Sequence, residues 1–101
     1  MYGLVSKFRT APGKRDQLAA LMLPKPGEVL PGCLSFIVAN DPADPDLIWI
    51  TEVWESAAAH KASLELPQVK ASIAVGMPLI TDFVMHVETE VVGGLGLGAA
   101  G

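Results

Sequence analysis

Cysteine is almost missing from this sequence: Cys33 is the only one in 101 residues. An internal disulfide is therefore impossible, and one thiol cannot complete a structural zinc site. An unpaired cysteine in an apolar run reads as a small buried hydrophobe, and it fits a reducing, cytoplasmic setting. Basic residues are also few, seven Lys and Arg against eleven Asp and Glu, for a net charge of −4. Lys14-Arg15 is their only adjacent pair. Binding to nucleic acid needs a basic stripe that displaces counterions, so no nucleic-acid partner is expected. No apolar run approaches the roughly 20 residues that span a bilayer. The first residues pass straight into a strand-like pattern, so neither a membrane partner nor a signal peptide is expected.

Cofactor motifs are missing as well. No strand-linked Gly-x-Gly-x-x-Gly and no Walker loop is present. Gly93-Gly94-Leu95-Gly96-Leu97-Gly98 is glycine-rich, but it follows the last strand pattern and opens no helix, so it reads as a flexible tail. His60 and His86 lie on different elements without HxH or HxxxH spacing. No metal and no cofactor are assigned.

What is present is a clear succession of periodic segments. Residues Tyr2 to Arg9 alternate as a strand, with Tyr2, Leu4 and Phe8 on one side and Val5, Lys7 and Arg9 on the other. Ala11-Pro12-Gly13 turns the chain into a helix from Lys14, carrying Leu18, Leu21 and Met22 at helical spacing. Pro24 and Pro26 end it. Cys33 to Ala39 reads as a second strand, Asn40 to Asp46 as a loop and Leu47 to Trp54 as a third strand. Ser56 is a good N-cap for Ala57 to Leu64. Pro67 starts a further short helix that stops near Gly76 and Pro78. Thr81 to Val92 is the final strand. A domain over residues 1–92 and a tail over 93–101 follow.

This order, β-α-β-β-α-β with the second helical segment broken in two, is the split βαβ arrangement of ferredoxin-like α+β folds. The expected sheet is antiparallel with its helices on one face. Strand three is apolar on both faces: Ile48 and Ile50 on one, Leu47, Trp49 and Val53 on the other. A sheet half-covered by helices should show a polar outer face. Half of all residues are hydrophobic, more than so short a chain easily buries. A second copy packed on the outer face is the simplest cover, and a lipid or hydrophobic ligand is the alternative.

Four pieces at their spacings resemble the antibiotic biosynthesis monooxygenase family. They are Pro12-Gly13 after strand one, Pro31-Gly32-Cys33-Leu34 opening strand two, Thr51-Glu52-Val53-Trp54-Glu55 closing strand three, and Ala59-His60-Lys61-Ala62-Ser63 on the next helix. The resemblance runs over residues 2 to 92. It implies a homodimeric α/β-barrel, two ferredoxin-like sheets packed face to face, with a pocket between sheet and helices in each protomer. Members similar to this chain oxygenate phenols or quinols with dioxygen, without metal or flavin. The family's haem degraders carry a helical tryptophan and histidine at positions matching Ser63 and Ile73, so haem degradation is not expected here. Where some relatives place a strand-two tyrosine, this chain has Phe36.

His60 is the candidate catalytic base, since an imidazole can take a proton from a phenol or hydroquinone near neutrality. Its other reading is a histidine on a polar helix face. Trp54 is a candidate pocket wall or donor to a substrate oxygen; as a strand-end aromatic it also reads as core. Glu52, a carboxylate in an apolar strand, must be paired or protonated if buried. It is a candidate to orient His60 or bridge a dimer, against a plain structural salt bridge. Asn40 and Arg9 are candidate substrate contacts, against a turn former and a solvated strand end. His86, grouped with Val84, Glu88 and Glu90, reads as a cross-strand partner of a glutamate. Met22, Met77 and Met85 read as adaptable core. The leading expectation is a cofactor-independent monooxygenase of a small aromatic quinol. The alternatives are a non-catalytic dimeric module that binds a small hydrophobic ligand or protects against quinones, and an isomerase on the same scaffold.

Overall fold

Alternation along the first strand, β1 (Tyr2–Thr10), sets the layout of the computed structural model, which describes residues 1–97. Leu4, Ser6, Phe8 and Thr10 are buried on one face, whereas Val5, Lys7 and Arg9 alternate onto the other. Helix α1 (Arg15–Met22) follows the Pro12-Gly13 turn, and its Leu18 is buried. Strands β2 (Cys33–Asn40) and β3 (Leu47–Trp54) form a hairpin. Helix α2 (Ala57–Ser63) is capped by the Ser56 hydroxyl, which accepts from the Ala59 N–H at 3.1 Å. Helix α3 (Pro67–Gly76) begins at its proline, passes into a 3-10 turn over Met77–Leu79 and leads to β4 (Ile80–Glu90).

The four strands form one antiparallel sheet in the order β2-β3-β1-β4. The fold is ferredoxin-like α+β. Phe8, Leu18, Ile48 and Ile50 form the centre of the core, with Met22, Phe36, Val38 and Ile80 packed around them. The opposite face carries Val5, Trp49, Val53 and Val87, with Ile37 and Val87 substantially exposed. Lys7 lies over the Trp49 ring at 4.6 Å from its centroid, which partly covers that apolar surface.

Two local devices position the second half of the chain. Gly32 has a left-handed φ of 81°, and a Cβ there would stand 2.6 Å from the Ala59 Cβ. Only glycine lets the entrance of β2 lie this close to α2, beside His60. The loop from Asp41 to Asp46 is drawn together by Arg15, which donates to the carbonyls of Asp41, Asp44 and Leu47 at 3.2, 2.8 and 3.4 Å.

The last strand departs from simple alternation. The pairing of β1 with β4 shifts between Lys7 and Phe8, so Met85 faces Lys7 while Phe83 faces Phe8. A residue inserted by this bulge exchanges the faces on either side of it. Phe83, not Val84, therefore shares a face with His86, contrary to the grouping expected from alternation. Met85 falls opposite Lys7 on the outer face, outside the core assigned to it. His86 pairs with Ser6, its Nδ1 standing 2.9 Å from the Ser6 hydroxyl, rather than with a glutamate. The expected tail splits: residues 93–97 follow β4 without regular structure, and 98–101 lie outside the described residues.

A candidate active site between sheet and helices

The helices leave a gap over the sheet, a cavity of about 280 Å³. This is just under the roughly 300–1,000 Å³ usual for small-molecule sites. Leu18, Leu21 and Met22 of α1 form one side, Val69 and Ile73 of α3 another, and Phe8, Phe36 and Trp54 belong to the floor. The connection from α1 to β2 adds Leu23, Pro24, Lys25, Glu28 and Leu30. It is folded by a local turn in which the Glu28 N–H donates to the Lys25 carbonyl at 2.9 Å. The Lys25 N–H donates in return to the Glu28 carboxylate at 3.2 Å.

Polar groups converge where β3 meets α2. Glu52 and Trp54 are two residues apart on one strand face, so the carboxylate comes within reach of the indole. The Trp54 N–H donates to Glu52 Oε1 at 3.0 Å, and Trp54 itself is 2% exposed. His60 Nε2 stands 3.8 Å from the same carboxylate oxygen, with the two side chains only 20% and 12% exposed. The His60 ring meets the Trp54 ring edge-on, 5.3 Å between centroids. Ser63, one turn later, donates to the His60 carbonyl at 2.6 Å. A titratable imidazole and a carboxylate thus stand at the wall of an apolar chamber, where screening by water is weak.

A residue that sequence reasoning left out completes this cluster. Tyr2 packs its ring against His60, 5.6 Å between centroids at a 34° tilt. It arrives there because the register places it opposite Trp54. Burial, reinforced by the carboxylates of Glu88 and Glu52, pushes its phenol above the ordinary value and keeps it protonated. Its strand face was legible, but its neighbour across β1 and β3 was not.

Of the other candidates, Phe36 lies opposite Glu52 and lines the cavity. Trp54 gives its N–H to Glu52, so that donor is engaged within the protein. Glu52 faces the cavity rather than the outer face where a dimer bridge would lie. Arg9 and Asn40 do not line the cavity. Arg9 pairs with Asp44 at 3.0 Å, and Asn40 is exposed opposite Ile48. Tyr2, next to His60, and Arg9 are seven steps apart on β1, about 23 Å of extended chain. Burial raises the Cys33 thiol above its ordinary value, which disfavours the nucleophilic thiolate. Among the described residues no group of three or more His, Cys, Asp or Glu is placed to hold a metal ion, and no helix is long and apolar enough to cross a membrane.

The same architecture recurs in known proteins. A candidate antibiotic biosynthesis monooxygenase from Chloroflexus aurantiacus J-10-fl is 55% identical with a TM-score of 0.90, covering 96% of this chain and 98% of its own. One from Deinococcus radiodurans superposes with a TM-score of 0.76 at 23% identity, covering 94% and 96%. One from Nitrosomonas europaea reaches 0.79 at 15%, covering 92% and 100%. At such identities the last two speak for the fold alone. No curated protein matches the chain significantly. The sequence profile of the family described as antibiotic biosynthesis monooxygenase matches residues 1–75, and the chain belongs to that family.

Proposed function

We propose that this protein is a monooxygenase that oxidises a small aromatic quinol or phenol with dioxygen, needing neither metal nor flavin, with His60 as its base. The observation that carries this reading is a basic ring set beside a carboxylate at the wall of a largely apolar cavity. His60 takes the phenolic proton, and Glu52 holds the resulting imidazolium in place. The electron-rich anion passes one electron to dioxygen, and recombination of the radical pair forms a carbon–oxygen bond to a peroxide. The imidazolium returns its proton to the outer peroxide oxygen. That ring carbon then gives up its hydrogen, which leaves with the outer hydroxyl as water, so the oxygen–oxygen bond breaks and a carbonyl remains on the ring. One oxygen atom ends in the product and the other in water, with every electron supplied by the substrate. The apolar walls limit hydration of the anion while it reacts. Trp54 and Phe36 serve as ring-binding walls; Arg9 and Asn40 have no part in this reading.

The functional unit in this proposal is residues 1–92, with 93–101 as a tail, acting as a homodimer in the cytoplasm. The apolar outer face bearing Val5, Ile37, Val53 and Val87 is the surface a second copy would cover. The deciding measurement is dioxygen uptake by purified, metal-stripped protein with a panel of hydroquinones and anthrones. We expect uptake above autoxidation, reduced about 10²–10⁴-fold by His60→Ala, the usual worth of general-base catalysis. Uptake indifferent to that substitution would remove His60 from the mechanism. Ligand binding without any uptake would favour a binding module.

A further inference from the structure

We propose that the natural substrate is an elongated quinol, an aromatic ring bearing an alkyl or isoprenoid arm. The ring lies at the Glu52–His60 end, and the arm runs out over an apolar rim. This inference rests on reading the cavity as the substrate site. Its first support is the length of the lining. Trp54 stands opposite Tyr2 in the sheet and Phe83 opposite Phe8, and both Trp54 and Phe83 line the cavity. Six steps along β1 separate those positions, about 20 Å of strand. A volume of about 280 Å³ drawn out along such a lining is a narrow trough. A single aromatic ring fills only part of it.

The second support is the chemistry of its two ends. Glu52, His60 and the buried Ser63 gather at one end. Elsewhere, beside the charged Lys25 and Glu28 of the α1–β2 connection, the lining includes four large apolar side chains that water still reaches: Leu23 (50% exposed), Ile73 (42%), Met77 (47%) and Phe83 (53%). They come from four segments: the connection after α1, α3, the 3-10 turn and β4. All of them line the one cavity, so they belong to a concavity rather than to a flat face. Scattered exposed hydrophobes are ordinary, but a cluster around a cavity marks something that covers it. A chain attached to the bound ring reaches this surface without a separate binding event.

The test is anaerobic titration of the full-length protein with hydroquinones carrying no chain, or chains of two, four and six carbons, followed by calorimetry. We expect Kd to fall roughly two- to four-fold for each methylene that the rim covers. Met77→Ser and Leu23→Ser, both at exposed positions, should flatten that dependence and leave the chain-free ring unaffected. A Kd independent of chain length would overturn the proposal. So would an equal slope in the rim variants, because that is non-specific partitioning. Rim variants that change the sedimenting mass while chain length has no effect would also sink it, making the rim a contact between copies. Parallel oxygen uptake keeps the two readings apart. A chain-length slope without uptake supports the elongated ligand and defeats the oxygenase. Uptake without a slope does the reverse.

Discussion

Strand β3 carries two tryptophans, and each gives its indole N–H to a carboxylate at 3.0 Å, on opposite faces of the sheet. Outside, Trp49 donates to Asp41, whose other oxygen accepts from the backbone N–H groups of Ala43 and Asp44 at 2.9 and 3.1 Å. Inside, Trp54 donates to Glu52, and His60 Nε2 stands 3.8 Å from the same oxygen. The first carboxylate is saturated by a turn and closes a loop. The second has one neutral donor and an imidazole beside it, so it keeps acceptor capacity free for a ligand. The same pair of residue types is therefore scaffold in one place and candidate machinery in the other. What separates them is the number of donors already committed and the access to water.

Breaking the two pairs should expose that difference. Trp54→Ala removes a fully buried aromatic and should cost about 3–5 kcal/mol in urea unfolding. Trp49→Ala should cost about 1–2 kcal/mol, the worth of one hydrogen bond and one cation–π contact. Equal costs would erase the distinction between the faces.

Glu52→Gln keeps an acceptor for the indole and removes the charge next to His60. Stability should move by less than about 1 kcal/mol, while oxygen uptake falls roughly ten-fold, a part of the general-base effect. Glu52→Leu, which strands the indole N–H, should instead destabilise by about 1–3 kcal/mol. If Gln and Leu behave alike in both assays, Glu52 is only a packing element.

The smallest effect belongs to the outer pair. Hydrogen bonding from Trp49 and the turn amides holds the Asp41 carboxyl below its ordinary 3.8. The Asp46 N–H and Arg9 do the same for Asp44. A carboxyl whose pKa is lower in the folded state binds protons more readily when unfolded. Its stabilising contribution is complete above about 3.8 and drains as pH falls towards the folded value. Both carboxylates are solvent-accessible, so the change should be modest. Chemical unfolding between about pH 5 and 2 should show a shallower loss in Asp41→Ala than in the parent. An identical pH dependence would mean that the loop carboxylates do not contribute.

Much of this was legible from residue order, and the misses share a cause. The β-branched and aromatic run from Leu47 to Trp54, the Ser56 cap and the proline at the start of α3 are local signals, and the elements formed there. The bulge that puts Phe83 beside Phe8 depends on how two strands pair, which alternation along one strand does not contain. Arg9 and Asn40 were singled out as polar strand ends. The antiparallel register puts them at the end of the sheet away from His60. Tyr2 was placed on a strand face but not singled out as a site residue for the converse reason, since its importance lies in standing opposite Trp54 and against His60.

By itself, then, the sequence determined the kinds and order of the elements, the ferredoxin-like topology and the apolar character of both sheet faces. These follow from short-range periodicity, turn chemistry and the need to bury what is apolar. Only the tertiary structure decided that Glu52, His60, Trp54 and Tyr2 share one corner, that Met85 faces outward, and that the α1–β2 connection folds over a narrow cavity. Those outcomes rest on strand register and on contacts between residues distant in sequence, which no local pattern of side chains encodes.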